Sequence, residues 1–155
     1  MNKTALSFAL AGISALPAIS QAREINLSTT LQEYRGNEAY LAIYVTDAQG
    51  TYQRTLWVAG KKAKYYKHLS DWVRSGNQRS EYDGLTGASV GSGETLEVAV
   101  ELEDALIDAG YQIRIDSAVE DKRDNRGEIQ VPLSSQATSV KGGGQGYIDS
   151  FGYSF

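Results

Sequence analysis

The stretch AYLAIYVTDAQGTYQRTLWVA, residues 39–59, decides the fold because it has the pattern of a complete β-hairpin. From Ala39 to Thr46, aliphatic residues alternate with Tyr and Ala, which predicts a strand whose successive side chains point to opposite faces. Asp47-Ala48-Gln49-Gly50 has the composition of a turn in which the glycine can adopt positive φ. Tyr52 to Ala59 then returns as the second strand.

Similar alternation along the rest of the chain predicts a mainly β protein. Seven short strands with turn signals between them are typical of an immunoglobulin-like β-sandwich of about seven strands. The predicted strands are Glu24 to Tyr34, Ala39 to Thr46, Tyr52 to Ala59, Glu94 to Leu102, Tyr111 to Val119, Glu128 to Leu133 and Tyr147 to Phe155.

One segment has helical rather than strand periodicity. Between Lys61 and Ser75, apolar residues recur at helical spacing and Gly76 follows as a stop signal, which predicts one helix packed over an end of the sandwich. A single helical turn is expected from Ala105 to Ala109. The charged stretch Ser117 to Gly127 and the glycine-rich stretch Thr138 to Gly146 read as solvated loops.

The first 22 residues have the pattern of a cleavable secretory signal. Lys3 supplies the positive start, an apolar run from Ala5 to Ile13 follows, and Ser20-Gln21-Ala22 offers small residues for cleavage. The apolar run is shorter than the roughly 20 residues that span a bilayer. We therefore expect a protein of the periplasm that does not itself span the membrane, with residues 23–155 forming a single domain.

The composition excludes several classes of function. The formal net charge is −4 and no basic block is present, so nucleic acid is not an expected partner. The chain has no Cys and one His, His68, which excludes thiol catalysis, cysteine-ligated metals and sites that need two His ligands. The carboxylate pairs Asp116/Glu120 and Asp121/Asp124 match no calcium-loop spacing, which predicts solvated charge.

Chemistry is indicated by the segment Asp83-Gly84-Leu85-Thr86-Gly87-Ala88-Ser89. Its two glycines permit backbone conformations that other residues avoid and allow another molecule to approach closely. The hydroxyl of Ser89 would then be presented at the end of a short loop of small residues. An alternative interpretation, based on composition alone, is an ordinary turn before a strand.

The order of these residues resembles the acceptor motif for covalent flavinylation, which is Asp, Gly, a variable residue, Ser or Thr, Gly, Ala, then Ser or Thr. In that motif a flavin transferase moves FMN from FAD onto the last hydroxyl through a phosphoester. The resemblance implies that Ser89 carries covalent FMN, and that the transferase reads the other specified residues. Those are Asp83, Gly84, Thr86, Gly87 and Ala88.

The wider chain resembles a family of uncharacterised periplasmic proteins found alongside PepSY-type transmembrane reductases and iron-acquisition receptors. The resemblance is carried by Tyr40 to Asp47, Arg54 to Lys61, Asp108 to Tyr111 and Ile115 to Asp121. It implies an electron carrier that exchanges electrons with a membrane reductase, with the flavin as the redox group and not a stand-alone enzyme.

Aromatic side chains near the motif are candidates to stack on a flavin. Tyr82 is nearest in sequence, and we assign it to the cofactor site with Ser89. Tyr65, Tyr66 and Trp72 on the preceding predicted helix are further candidates, although core packing is the better interpretation for Trp72. A second hypothesis is a non-catalytic docking module of an iron-uptake or membrane redox system, which would use the charged stretch Ser117 to Gly127. Covalent FMN on the exported protein would separate the two hypotheses.

Overall fold

The mainly β architecture predicted from the sequence is confirmed as a two-sheet β-sandwich. The computed structural model describes residues 20–76 and 79–155. The signal-peptide prediction falls largely on residues 1–19, outside the described part. The strands are β1 (Ala22–Leu31), β2 (Ala39–Thr46), β3 (Tyr52–Ala59), β4 (Thr86–Gly87), β5 (Thr95–Glu103), β6 (Gln112–Val119), β7 (Asn125–Pro132), β8 (Thr138–Lys141) and β9 (Ile148–Ser154).

The strands form a four-stranded sheet, in the order β5-β1-β9-β8, and a five-stranded sheet, in the order β4-β3-β2-β6-β7. Strand β2 lies at the centre of the five-stranded sheet, where Ile43 pairs with Trp57 of β3 and Ile115 of β6 in antiparallel registers. Strand β4 is an edge strand and runs parallel to β3. The hairpin that the sequence predicts is therefore the middle of this sheet.

The strand count is nine in the described residues, so the expectation of about seven was too low. Strands β4 and β8 lie in segments that the sequence predicts as loops. The prediction of a continuous loop from Ser117 to Gly127 was also wrong, because β6 extends to Val119 and β7 begins at Asn125. The short strands β4 and β8 form because their backbones pair with neighbouring strands, and alternation of side chains does not reveal such pairing.

Two apolar clusters lie on opposite faces of the five-stranded sheet. The larger fills the space between the two sheets, where Ile25, Leu41, Ile43, Ile115 and Ile148 are fully buried. The smaller lies on the outer face, beneath the helical segment. It comprises Ala42, Tyr44, Val58, Tyr66, Leu69, Trp72 and Ala118. Strand β2 is therefore covered on both faces.

The helical segment after β3 is not the single helix predicted from Lys61 to Ser75. It comprises a 3₁₀ helix, Ala63–His68, and a short helix α1, Ser70–Arg74, separated by Leu69 at φ −84° and ψ 72°. This break allows Tyr66, Leu69 and Trp72 all to reach the outer face of the sheet, where each is buried. A further helix α2, Arg79–Tyr82, leads into β4, and a 3₁₀ turn, Asp104–Leu106, occupies the place of the predicted turn at Ala105 to Ala109.

A buried carboxylate fixes α1 on the sheet. Asp116 of β6 has no solvent exposure, so the prediction of a solvated charge was wrong at this position. Its Oδ2 accepts hydrogen bonds of 2.9 Å from the backbone N–H groups of Asp71 and Trp72. Its Oδ1 accepts hydrogen bonds from the Tyr44 hydroxyl at 3.1 Å and the Gly127 N–H at 2.7 Å. The carboxylate thus supplies the N-terminal cap that α1 lacks locally.

Candidate functional site

The motif from Asp83 to Ser89 forms the outer edge of the five-stranded sheet. Leu85 closes the turn after α2 with an N–H bond to the carbonyl of Tyr82, and Gly84 makes that turn at φ +80°. The carbonyls of Leu85 and Gly87 then accept hydrogen bonds from Val58 and Gly60 at 2.8 and 2.9 Å. The motif is therefore held as an edge strand rather than as a free loop.

Ser89 lies between two fixed points of the backbone. On its N-terminal side is the Gly87 pairing with Gly60, and on its C-terminal side Val90 exchanges both backbone hydrogen bonds with Ala39, at 2.7 and 3.0 Å. The Ser89 side chain is half-buried, and its hydroxyl donates a hydrogen bond to the Glu38 carboxylate. The hydroxyl is thus both accessible and oriented.

The other specified motif residues differ in their surroundings. Asp83, Gly84, Thr86 and Ala88 are exposed. Gly87 is packed against Trp57, so closely that an added Cβ would lie 2.6 Å from Cζ2 of the indole. Local packing explains this second glycine, whereas nothing in the described structure requires Thr86 or Ala88.

Ser89 and Ala88 line a surface groove of about 710 Å³, called here the Ser89 groove. Its volume is within the range of about 300–1,000 Å³ that small-molecule sites occupy. The remaining lining residues come from the connection between β1 and β2, the start of β2, the segment after β3, the 3₁₀ helix, and the end of β6 with the segment after it. They are Asn37, Glu38, Tyr40, Lys61, Lys62, Tyr65, His68, Ala118, Val119, Glu120, Asp121 and Lys122.

Two tyrosines form an aromatic wall of this groove. Tyr40 and Tyr65 are half-buried and contact each other edge to face, with ring centroids 5.6 Å apart. The Tyr65 hydroxyl donates to Glu120 at 3.4 Å, and the same carboxylate accepts a bond of 3.2 Å from the Asn37 amide. Lys64, which does not line the groove, lies over the Tyr65 ring at 4.9 Å. The wall is therefore held in place from several sides.

The charges of the groove are mixed. Lys61, Lys62 and Lys122 line the groove together with His68 and the carboxylates of Glu38, Glu120 and Asp121. His68 is bound to Asp124 through Nδ1 at 3.0 Å and is half-exposed, as expected for a surface His. The groove therefore offers lysine ammonium groups for a group with a small negative charge and tyrosine rings for an aromatic body.

Tyr82 packs against the outer-face cluster on the side of Trp72, whereas Tyr40 contacts the same cluster through Tyr66, with ring centroids 6.3 Å apart. The Tyr82 ring centroid is 5.1 Å from that of Trp72 and 5.9 Å from that of Tyr66, and Tyr82 does not line the Ser89 groove. Trp72 is core, as predicted, and its indole N–H donates to Thr55 at 2.9 Å. Burial raises the pKa of Tyr66, whose hydroxyl donates to the Gly60 carbonyl. The structure thus brings the six motif residues together and leaves Tyr82 beneath the helical segment.

Sequence reasoning missed Glu38, Tyr40 and the three lysines of the groove, whereas it named Tyr65 among the aromatic candidates. A signal was available for Tyr40, because alternation in β2 sets it on the face opposite Leu41, the face that the helical segment covers. The other residues are adjacent to Ser89 only through long-range strand pairing.

The fold and groove define a β-sandwich with an edge-strand motif that presents one hydroxyl to a small-molecule-sized cleft. Residues 22–150 match the model of the family described as "Predicted periplasmic protein (DUF2271)", and the chain belongs to this family. The expected periplasmic location is thereby confirmed at the level of the family. No curated protein and no solved structure matches the chain. Among the described residues, no helix is long and apolar enough to cross a membrane.

Proposed function

We propose that this protein is a periplasmic flavoprotein that carries FMN covalently on Ser89 and exchanges electrons with a membrane reductase of the PepSY type. The observation that carries the proposal is the accessible Ser89 hydroxyl at the end of a complete acceptor motif, opening on a groove of suitable size. When bound, FMN supplies one- and two-electron chemistry that no side chain of this chain provides.

Attachment is a phosphoryl transfer catalysed by a flavin transferase, with FAD as the second reactant. The Ser89 oxygen forms a bond to the phosphorus of the FMN half, the anhydride bond of FAD breaks, and AMP leaves with the electron pair. The hydroxyl proton must go to a base. Glu38 is suited to receive it, because its carboxylate already accepts the hydrogen bond from Ser89.

The edge position of the motif supports recognition by a transferase. Strand β4 pairs with β3 on one side, and no strand of the described residues covers its other side. Another protein can therefore align a strand along this edge and read the exposed Asp83 and Thr86 side chains.

The two fixed ends of the motif agree with a carrier rather than with a loose tag. Because Gly87 and Val90 are both tied to the sheet, the flavin phosphate would be anchored to rigid backbone. A redox group on a rigid anchor keeps a reproducible position towards its electron partner.

Co-expression with a flavin transferase in the periplasm tests the proposal by intact mass. We expect a gain equal to FMN less one water on the wild type and on Ser89→Thr, which keeps the hydroxyl. We expect none on Ser89→Ala. Ser80→Ala is a matched control, because Ser80 is an exposed serine in the helix just before the motif and should leave the gain intact.

A wild-type protein that stays unmodified beside an active transferase and a modified standard substrate would contradict the proposal. The non-catalytic docking module would then be the better description. Modification of Ser89→Ala to the wild-type extent would show that another residue is the acceptor.

A further inference from the structure

We infer that Tyr40 and Tyr65 form the seat for the isoalloxazine ring of a flavin on Ser89, and that Lys61 and Lys62 face its phosphodiester. The inference rests on the proposed function, because the seat is defined for a flavin tethered to that serine. It keeps Tyr65 from the aromatic candidates of the sequence, and it replaces Tyr82, the candidate nearest to Ser89 in sequence, with Tyr40.

The first support is that the tether and the wall lie in one cavity. Ser89 and both tyrosines line the Ser89 groove, whereas Tyr82 does not. Tyr82 is separated from Ser89 by β4, and its ring already contacts Trp72 and Tyr66. A ring tethered to Ser89 therefore meets Tyr40 and Tyr65 without any rearrangement of the core.

The second support is the state of the wall. Tyr65 is half-buried, so part of its ring is accessible, yet it is held by Tyr40 at its edge and by Glu120 at its hydroxyl. A planar aromatic ligand loses little by packing against side chains that are already ordered. Offset or edge-on contact with such rings is the arrangement that aromatic ligands prefer.

The third support is the distribution of charge near Ser89. The hydrogen bond between Gly60 and Gly87 brings Lys61 and Lys62, which follow Gly60, beside Ala88 and Ser89. Once Ser89 is esterified, its oxygen no longer donates to Glu38, and a phosphodiester anion stands near that carboxylate. The two lysines supply the opposite charge that such an anion requires.

The test uses the flavinylated protein, with the extent of modification first established by intact mass for every variant. The readouts are flavin fluorescence and its quenching by iodide. A ring packed against tyrosine should be dimmer than free FMN and poorly accessible to iodide. Tyr65→Leu should raise the fluorescence per flavin several-fold and bring iodide quenching close to that of free FMN.

Two variants serve as controls. Tyr65→Phe keeps a ring at the wall and should retain protection from iodide. Tyr82→Leu removes an aromatic side chain that does not line the Ser89 groove and should change neither readout. Protection of the flavin from iodide is also measured on the wild-type protein, so the seat can be tested even if a variant does not fold.

The outcomes separate the two levels of the proposal. A fully flavinylated wild type with the iodide quenching of free FMN would overturn the seat while leaving the function intact. A flavin that Tyr82→Leu exposes and Tyr65→Leu does not would place the ring beside Tyr82 instead and also overturn the seat. Absence of the mass gain would overturn the proposed function, and the seat with it.

Discussion

Replacing Asp116 with Asn should destabilise the protein strongly, although the two side chains have the same shape. The Asp116 carboxylate is fully buried and accepts from three backbone N–H groups and one hydroxyl. An amide has one acceptor atom and one donor group. If the amide oxygen stays with the two N–H groups of α1, the amide nitrogen faces the N–H of Gly127.

The magnitude follows from these contacts. Tyr44 can turn its hydroxyl to accept from the amide, but the half-buried Gly127 N–H loses its partner, which costs about 1–3 kcal/mol. The two bonds to α1 change from charge-assisted to neutral, at about 1 kcal/mol each. The sum is about 3–5 kcal/mol, a large fraction of the roughly 5–15 kcal/mol by which a small domain is stable.

Equilibrium unfolding in urea measures this loss, with the slope of the transition checked to be unchanged. Asp121→Asn is the matched control, because Asp121 is exposed and has φ +58°, a conformation that Asn tolerates. It should lie within about 0.5 kcal/mol of the wild type. A loss below about 1 kcal/mol for Asp116→Asn would refute the view that this charge holds α1 on the sheet, since one orphaned N–H alone costs that much.

Three further predictions concern single contacts. Burial alone would raise the pKa of Glu103, but the hydrogen bond from Arg54, a backbone hydrogen bond and the charge of Arg54 together outweigh burial and hold the pKa below its ordinary 4.5. The stabilisation by the Glu103 carboxylate is therefore present above about pH 4.5 and is lost as pH falls through the lowered pKa. In urea titrations, the free energy of unfolding of Glu103→Gln should fall by about 0.2–1 kcal/mol less than that of the wild type over this pH range. Burial and the nearby Asp116 carboxylate raise the pKa of Tyr44, so stability should fall as pH rises above about 10, and Tyr44→Phe should lessen that fall in thermal melts. Gly87→Ala should lower stability by about 1–3 kcal/mol, because the added methyl group would contact the Trp57 indole, and should lower it less in a Trp57→Phe background. If Gly87→Ala carries no flavin even in that background, the transferase reads this glycine.

The part of the fold that the sequence predicts best is the part with local signals. The hairpin from Ala39 to Ala59 matches the observed strands residue for residue, because alternation and the turn lie within one short stretch. The helical segment was predicted in place but not in form, since its break at Leu69 follows the surface of the sheet beneath it. Strand β4 depends on β3, a partner far back along the chain, whereas β8 is a four-residue strand that pairs with the next strand, β9, and is too short to show alternation.

The candidate site divides in the same way. The order of residues from Asp83 to Ser89 identifies the motif, but the groove beside it exists only because Gly87 pairs with Gly60 and Val90 with Ala39. Proximity in sequence therefore pointed to Tyr82, whereas the sheet brings Tyr40 and Tyr65 into the groove of Ser89. Asp116 shows the related failure for charge, because an acidic residue in a strand gives no sign that a helix will cover it.

The most direct measurement is the location of the flavin on the purified periplasmic protein. Tryptic cleavage after Arg79 and Arg114 releases residues 80–114 as one peptide, which contains several other hydroxyl groups besides that of Ser89. Fragmentation of this peptide should place one FMN phosphoester on Ser89. A bare peptide from cells with an active transferase, or FMN on Thr86 or Ser92 instead, would contradict the account.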